Sequence, residues 1–293
     1  MAQHYYKLYL PYDDQPHGYM LPEIVLKMPW ISDFSIDHDV NRAVRVLDNS
    51  SGKHTAKAVN DAFAKLVNIC IERNLFDLLC GRHSEPFTIF GARYDQPVHI
   101  ERFAAALFGV MQRGAHMVAY TYNPSAEIRL WIGRRSAHIY TYPGMLDTTV
   151  AGGIKSGASP LRTIVEEADE EASLSSEFVR ENVRSRGAIS HISLTGRGFP
   201  GEQGLAMPDY IYVYDIKLPS DVVPKPHDEE VGEFYCMTVP EVQAALLKQE
   251  FKPDSACVLI DFLMRHSVIT AENEPDFINI TMRLHRRLPF KLG

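Results

Sequence analysis

Residues 151–174 read AGGIKSGASPLRTIVEEADEEASL, and no other stretch constrains the chain as strongly. Two glycines close a strand and an irregular loop follows. Pro160 then suits the first turn of a helix, where its fixed φ is preorganised and its missing N–H is not needed. At about 100° per residue, Leu161, Ile164, Val165, Ala168 and Ala172 share one face, which predicts a helix over 160–174 docked on a core. Glu167, Glu170 and Glu171, at i, i+3 and i+4, form a stripe beside that face. Glu166 lies at the stripe's edge and Asp169 points away. Carboxylates in adjacent turns repel one another and weaken an isolated helix. A solvated acidic face is the plain reading of such a run. Here, next to a docking face and a Gly-Gly strand end, a hard divalent cation explains the cluster better. Mg²⁺ takes a few carboxylates, keeps its waters and bridges to phosphate.

The rest of the chain alternates strand and helix signals. The spacing of Ala56, Val59, Phe63, Leu66, Ile69 and Phe76 predicts one or two helices over 54–79. Short strands are expected at 87–90 and 98–100, then a helix over 101–112 stopped by Gly114. Further strands are expected at 116–122, 128–132, 148–151, 188–194, 210–218 and 232–238. Helices are expected at 240–250, 254–266 and 275–287. This mixture indicates an α/β (α+β) sandwich rather than an all-β barrel. A change of pattern near His116 suggests an N-terminal α/β domain over 1–115 and a second domain over 116–293. The glycine-rich segment 196–204 lies between two expected strands, as a solvated connector or the rim of a ligand site.

Composition excludes several classes. With 30 Lys+Arg against 37 Asp+Glu, the net charge is −7, which argues against a general nucleic-acid binder. Cys70, Cys80, Cys236 and Cys257 form no CxxC pair, so buried thiols are expected rather than a disulfide framework or a zinc site. No apolar run approaches the ~20 residues of a membrane span, and the first residues lack the pattern of a signal peptide. A soluble, cytoplasmic protein with no membrane partner is expected.

At Gly152 to Leu174 the chain resembles the Nudix box, GX5EX7REUXEEXGU. Gly152, Glu167, Ala168, Glu170, Glu171 and Leu174 match. Ala158 replaces the first Glu, Glu166 replaces the Arg, and Ser173 replaces the last Gly. The segments IERFAAALFGVMQRGAHM, TYPGMLDTTVAGGIKSG, YVYDIKLPSDVVPKP, EFKPDSACVLIDFLMRH, TAENEPDF and RLHRRLPF resemble one two-domain Nudix subfamily, related to thiamine pyrophosphokinase. The resemblance implies a Nudix α/β/α sandwich, Mg²⁺ or Mn²⁺ as cofactor, and cleavage of a diphosphate in a small-molecule substrate. It implies action on thiamine diphosphate or its oxo and oxy analogues, giving monophosphate and phosphate. It also maps metal ligation and catalysis onto Glu167, Glu170 and Glu171, with a carbonyl of Gly152 completing the metal site.

Diphosphate hydrolysis needs neutralised phosphoryl oxygens and an oriented water. Arg134, Arg135 and Lys155 are candidates for gripping the diphosphate, because a guanidinium fork matches phosphate. A glutamate of the box, or one from 228–233, could orient the water, although Glu230 and Glu233 read first as surface charges. Tyr140, Tyr142, Phe199, Tyr210 and Tyr212 are candidates for stacking on the ligand, with core packing as the plainer role. His116, His138, His191 and His227 show no metal spacing and read as structural or solvated. Two other readings stay open: a Nudix hydrolase of another nucleoside diphosphate derivative, and a Nudix-fold diphosphate binder with weak or no turnover. The N-terminal domain is a candidate for covering the site or mediating a homodimer.

Overall fold

The computed structural model describes residues 4–39, 41–79, 85–196 and 199–290. Cys80 lies outside them. The first third comprises β1 (Tyr6–Tyr9), β2 (Gly18–Met20), α1 (Pro22–Lys27), β3 (Phe34–Asp37), β4 (Ala43–Val46), α2 (Thr55–Glu72), β5 (Pro86–Thr88), β6 (His99–Glu101) and α3 (Arg102–Leu107). A four-stranded sheet of order β2-β1-β4-β3 packs with α2 around Leu8, Phe34, Val59, Phe63, Leu66 and Phe108. Strands β1 to β4 were not expected from the sequence. They are three or four residues long, too short for a period of two to stand out. The helix expected over 101–112 ends early. Gly109 has φ +57°, and a Cβ there would stand 2.7 Å from the Tyr19 carbonyl carbon, so this close approach turns the chain.

The rest begins with β7 (Gln112–Tyr122), β8 (Ile128–Arg135), β9 (Leu146–Asp147), β10 (Val150–Gly153), α4 (Pro160–Ala172) and α5 (Ser176–Asn182). It ends with β11 (Arg184–Leu194), β12 (Ala206–Lys217), β13 (Val231–Thr238), α6 (Val239–Leu247), α7 (Pro253–Arg265) and α8 (Phe277–Leu284). Gly114, expected to stop a helix, lies inside β7, and the 115/116 division falls within that same strand.

Seven strands form a mixed sheet of order β11-β12-β7-β8-β13, with β10 added on β7 and β9 on β8. The β12/β7 pair is parallel and the other pairs are antiparallel. One face, through Ala115, Met117, Tyr214 and Ile216, packs on Ile164, Val165, Ala168 and Ala172 of α4 and Val179 of α5. The opposite face, through Val118, Ile132, Ile211 and Val213, packs on Val242 of α6, Val258, Leu259 and Phe262 of α7, and Leu284 of α8. The result is an α/β/α sandwich.

Residues 199–205 tie this sandwich to the first third. Phe199 and Leu205 enter the N-terminal core. The Glu202 carboxylate accepts hydrogen bonds from the Asp77 and Leu78 amides at 2.9 and 3.2 Å, and Tyr5 donates to the Gly204 carbonyl at 2.9 Å. Among the described residues Cys70, Cys236 and Cys257 are free thiols, and no helix is long and apolar enough to cross a membrane.

Candidate active site

Helix α4 starts as the sequence suggests. Ser159 caps it, its hydroxyl accepting from the Arg162 amide at 3.2 Å, and Pro160 occupies the first turn. The docked face runs Thr163, Ile164, Val165, Ala168, Glu171 and Ala172, whereas Leu161 is 39% exposed and does not dock. The helix closes at Ser173, in the left-handed region at φ +54°, where the Nudix pattern has Gly. Its hydroxyl donates to the Lys225 carbonyl at 3.0 Å, which helps to hold that conformation.

The acidic stripe divides by environment. Glu171 is 4% exposed and accepts from the Ala151 amide at 3.0 Å. Glu167 is half-buried and lies beneath Gly152, whose Cα leaves no room for a side chain: a Cβ would stand 2.6 Å from Glu167 Cδ and Cγ. Burial pushes Glu167 up to about 7, with the charges of Glu170 and Glu230 adding to the rise and Lys155 and Arg102 opposing it. Burial also raises Glu171 well above the ordinary carboxylate range, assisted by Glu167. Glu170 is exposed, and its carbonyl accepts from the Asp228 amide at 3.0 Å. That bond helps to lay the 225–230 segment along the end of α4 and brings Glu230 to the acidic group. Glu166 pairs with Arg162 at 2.6 Å and faces outward, while Ala158 packs on the apolar core under α4.

Beside Gly152 opens a cavity of about 620 Å³. Its floor is one face of the mixed sheet, with Gly114 and His116 on β7, His191 and Ser193 on β11, and Asp209 and Ile211 on β12. Its walls include Phe103 of α3, the 138–142 segment, Phe199 and the start of α7. The acidic residues of α4 do not line this cavity. They meet it through Ala151, Gly152 and Gly153, which do, and through Glu230 at the rim.

The predicted basic residues separate. Arg135 lines the cavity, but its guanidinium is committed: it donates to Asp147 at 3.0 Å and to the Thr141 carbonyl at 3.1 and 3.0 Å. Arg134, on the opposite face of β8, is not part of the lining. It donates to the Tyr235 hydroxyl at 3.0 Å and the Gly144 carbonyl at 2.8 Å. Lys155 stays beside the acidic group and pairs with Glu85 at 3.2 Å. Sequence reasoning missed Arg102 and Arg113, both in the lining. Arg102 lies over the Phe87 ring and shares Glu85 with Lys155, and Arg113 lies over the Phe90 ring. No local signal marks either one. Arg113 reaches the site because β7 pairs with β10, setting Gly114 opposite Gly153, and Arg102 reaches Gly153 from the first position of α3.

Below the cavity Asp147 is buried and accepts from Arg135, from the Thr148 amide at 2.8 Å and from the Ser255 hydroxyl. Lys252 pairs with Asp254 at 2.8 Å. Burial opposes charge on Asp147 and Asp254, but the facing cations win and hold both below the usual carboxylate range. His116 shares a 3.0 Å hydrogen bond with Thr148, and burial pushes it down to about 4, so it is neutral at pH 7. His138 and His227 lie outside this floor: His138 approaches Glu229 at 3.8 Å, and His227 shares a 2.8 Å bond with the Asp169 carbonyl. Of the aromatic candidates, Tyr140, Tyr142 and Phe199 line the cavity. Tyr210 and Tyr212 do not, because they alternate with Asp209 and Ile211 along β12. Of the acidic 228–233 segment, Glu229 and Glu230 line the cavity, while Glu233 accepts from Tyr235 at 2.7 Å.

The chemistry of the group by α4 fits a hard divalent cation: oxygen donors, a buried carboxylate pair and a glycine carbonyl strand alongside. Among the described residues, however, no three His, Cys, Asp or Glu side chains are gathered closely enough to hold a metal ion.

Several known proteins are similar to this chain. The chain is 36% identical over 189 residues to Nudix hydrolase 20, chloroplastic, of Arabidopsis thaliana, and 36% identical over 186 residues to Nudix hydrolase 24, chloroplastic, of the same plant. The similarity is to Nudix hydrolases. These alignments take in 64% and 63% of this chain and 48% of each relative. An uncharacterized protein of Saccharomyces cerevisiae is 39% identical over 198 residues, covering 66% of this chain and 58% of that one. The chain thus spans about half the length of the curated relatives it matches. No family model matches it. Among solved structures, DR0079 from Deinococcus radiodurans aligns with a TM-score of 0.40 at 22% identity, over 59% of this chain and 95% of that one.

Proposed function

We propose that this chain is a Nudix-type hydrolase that cleaves the diphosphate of a small organic molecule. The observation that carries the reading is the meeting of Gly152 with Glu167 and of Ala151 with Glu171 at the edge of a cavity lined by Arg102 and Arg113, with Lys155 beside the acidic group. Glu167, Glu170, Glu171 and the Gly152 carbonyl are the groups that would hold Mg²⁺ or Mn²⁺. A bound divalent ion supplies charge neutralisation at the phosphoryl oxygens. Arg102 and Arg113 bind the diphosphate oxygens, with Lys155 balancing the acidic group. Glu230, at the rim and facing Glu167 and Glu171, orients the attacking water and accepts its proton. The water oxygen bonds to phosphorus as the bridging P–O bond breaks, leaving phosphate and a monophosphate.

Thiamine diphosphate and its oxo and oxy analogues are the proposed substrates, on the resemblance of the whole second part to that subfamily. A second reading, a diphosphate binder with weak turnover, draws on the outward pairing of Glu166 and on carboxylates that are not gathered for a metal. Turnover of Glu170→Gln and Glu171→Gln separates the two. Each is expected to fall by at least ~10²-fold through lost charge stabilisation. Near-normal rates in both would remove the acidic group of α4 from the reaction.

A further inference from the structure

Two polar groups in the cavity floor have no role in the diphosphate chemistry. Asp209 on β12 and His191 on β11 are direct cross-strand partners, so their side chains rise side by side on one face of the sheet. Both line the cavity. His191 Nε2 is buried without a hydrogen-bond partner, and beside it the half-buried Asp209 carboxyl has no side-chain hydrogen bond among the described residues. Neighbouring floor groups are satisfied internally: His116 by Thr148, Asp254 by Lys252. Buried polar groups in native proteins are normally paired. A buried, unpaired imidazole nitrogen beside a half-buried acid at the base of an open cavity therefore points to a partner from outside.

We infer that Asp209 and His191 form the recognition pair for the edge of a flat nitrogen heterocycle carrying an exocyclic amine next to a ring nitrogen, the organic end of the diphosphate substrate. This inference rests on the diphosphate reading above. Burial, reinforced by Asp254 and opposed by Lys252, lifts Asp209 to about 8, so at neutral pH its carboxyl keeps a proton to donate. A protonated carboxyl gives its O–H to the ring nitrogen and accepts from the amine through its carbonyl, two parallel hydrogen bonds. His191, held neutral by burial, adds a third polar contact. Phe103, Tyr140, Tyr142 and Phe199 supply apolar walls for the ring. The basic rim lies toward Gly152 and Gly153, so ring and diphosphate occupy opposite ends of one cavity.

Calorimetric titration of wild type, Asp209→Leu and His191→Leu tests the pair, with thiamine monophosphate, AMP and inorganic pyrophosphate as probes. Both monophosphates carry the required edge, one on a pyrimidine and one on a purine, and the better binder identifies the ring. Leucine keeps the branched four-atom shape of aspartate without its polar atoms, and retained pyrophosphate binding reports an intact fold and anion site. Both variants are expected to bind the preferred monophosphate at least tenfold more weakly and pyrophosphate within twofold of wild type. If wild type binds and turns over a diphosphate while both variants keep full affinity for the monophosphates, the recognition pair is overturned and the hydrolase reading stands. If wild type binds none of the three probes, the hydrolase reading fails and this inference with it.

Discussion

The Cα of Gly152 lies on the carboxylate of Glu167: a Cβ there would stand 2.6 Å from Glu167 Cδ and Cγ. That contact accounts for Gly152 at the strand end before the acidic helix, while at Gly153 a Cβ would stand 2.6 Å from Phe87 Cζ. Gly152→Ala would displace Glu167 from the acidic group while leaving the distant cores untouched. Turnover is expected to fall at least tenfold, with a stability cost of about 1–3 kcal/mol from overpacking. Activity and thermal denaturation of the variant check both.

Glu171 is a buried acid whose folded-state pKa lies above its unfolded value. Its contribution to stability is therefore present below the unfolded carboxylate range and is lost as pH rises. Glu171→Gln keeps an acceptor for the Ala151 amide and removes the charge. In chelator at pH 7 and above it should be more stable than wild type by about 1–3 kcal/mol, the gain vanishing near pH 4. Adding Mg²⁺ should raise the melting temperature of wild type and not of the variant. Melting curves across pH, with and without the ion, give both results.

Asp215 is 1% exposed, and Arg186 and Arg265 donate to it at 3.0 Å each. Burial alone would raise its pKa, but hydrogen bonds from His266 and Arg265 and the two arginine charges lower it. A depressed acid stabilises above its unfolded pKa, and this support is lost as pH falls through the folded value. Asp215→Asn is expected to cost about 3–5 kcal/mol at pH 7, because it leaves guanidinium groups facing a neutral residue. Denaturant unfolding at pH 7 and pH 3 tests this, the difference between variant and wild type shrinking in acid.

Arg102 and Arg113 line the cavity and Arg134 does not. Arg102→Ala and Arg113→Ala should each raise KM for a diphosphate substrate by about tenfold, as loss of a charge-assisted hydrogen bond of 1.5–3 kcal/mol implies. Arg134→Ala should show instead as lost stability, through the freed Tyr235 hydroxyl and Gly144 carbonyl. Steady-state kinetics beside melting curves separates the two behaviours.

What was legible in the sequence was local. Pro160 and the spacing of Ile164, Val165, Ala168 and Ala172 specify α4 within one segment, and the Nudix resemblance pointed to the same glutamates. Leu161 misled because periodicity marks a face without saying how many turns of it dock. The cavity floor was not legible. Asp209 and His191 lie far apart along the chain and meet only through strand register, which no local pattern encodes. The same holds for Arg113, set beside Gly152 by the pairing of β7 with β10. Tyr210 and Tyr212 were misplaced for want of one fact: which face of β12 carries Asp209.

The most direct test of the hydrolase reading is product formation by the wild-type protein with Mg²⁺: phosphate from thiamine diphosphate and its oxy analogue, and paired monophosphates from ADP-ribose and NADH. Chelator-sensitive turnover is predicted, fastest on the thiamine compounds, which give phosphate and a monophosphate. Binding of these diphosphates with no turnover on any of them would contradict it.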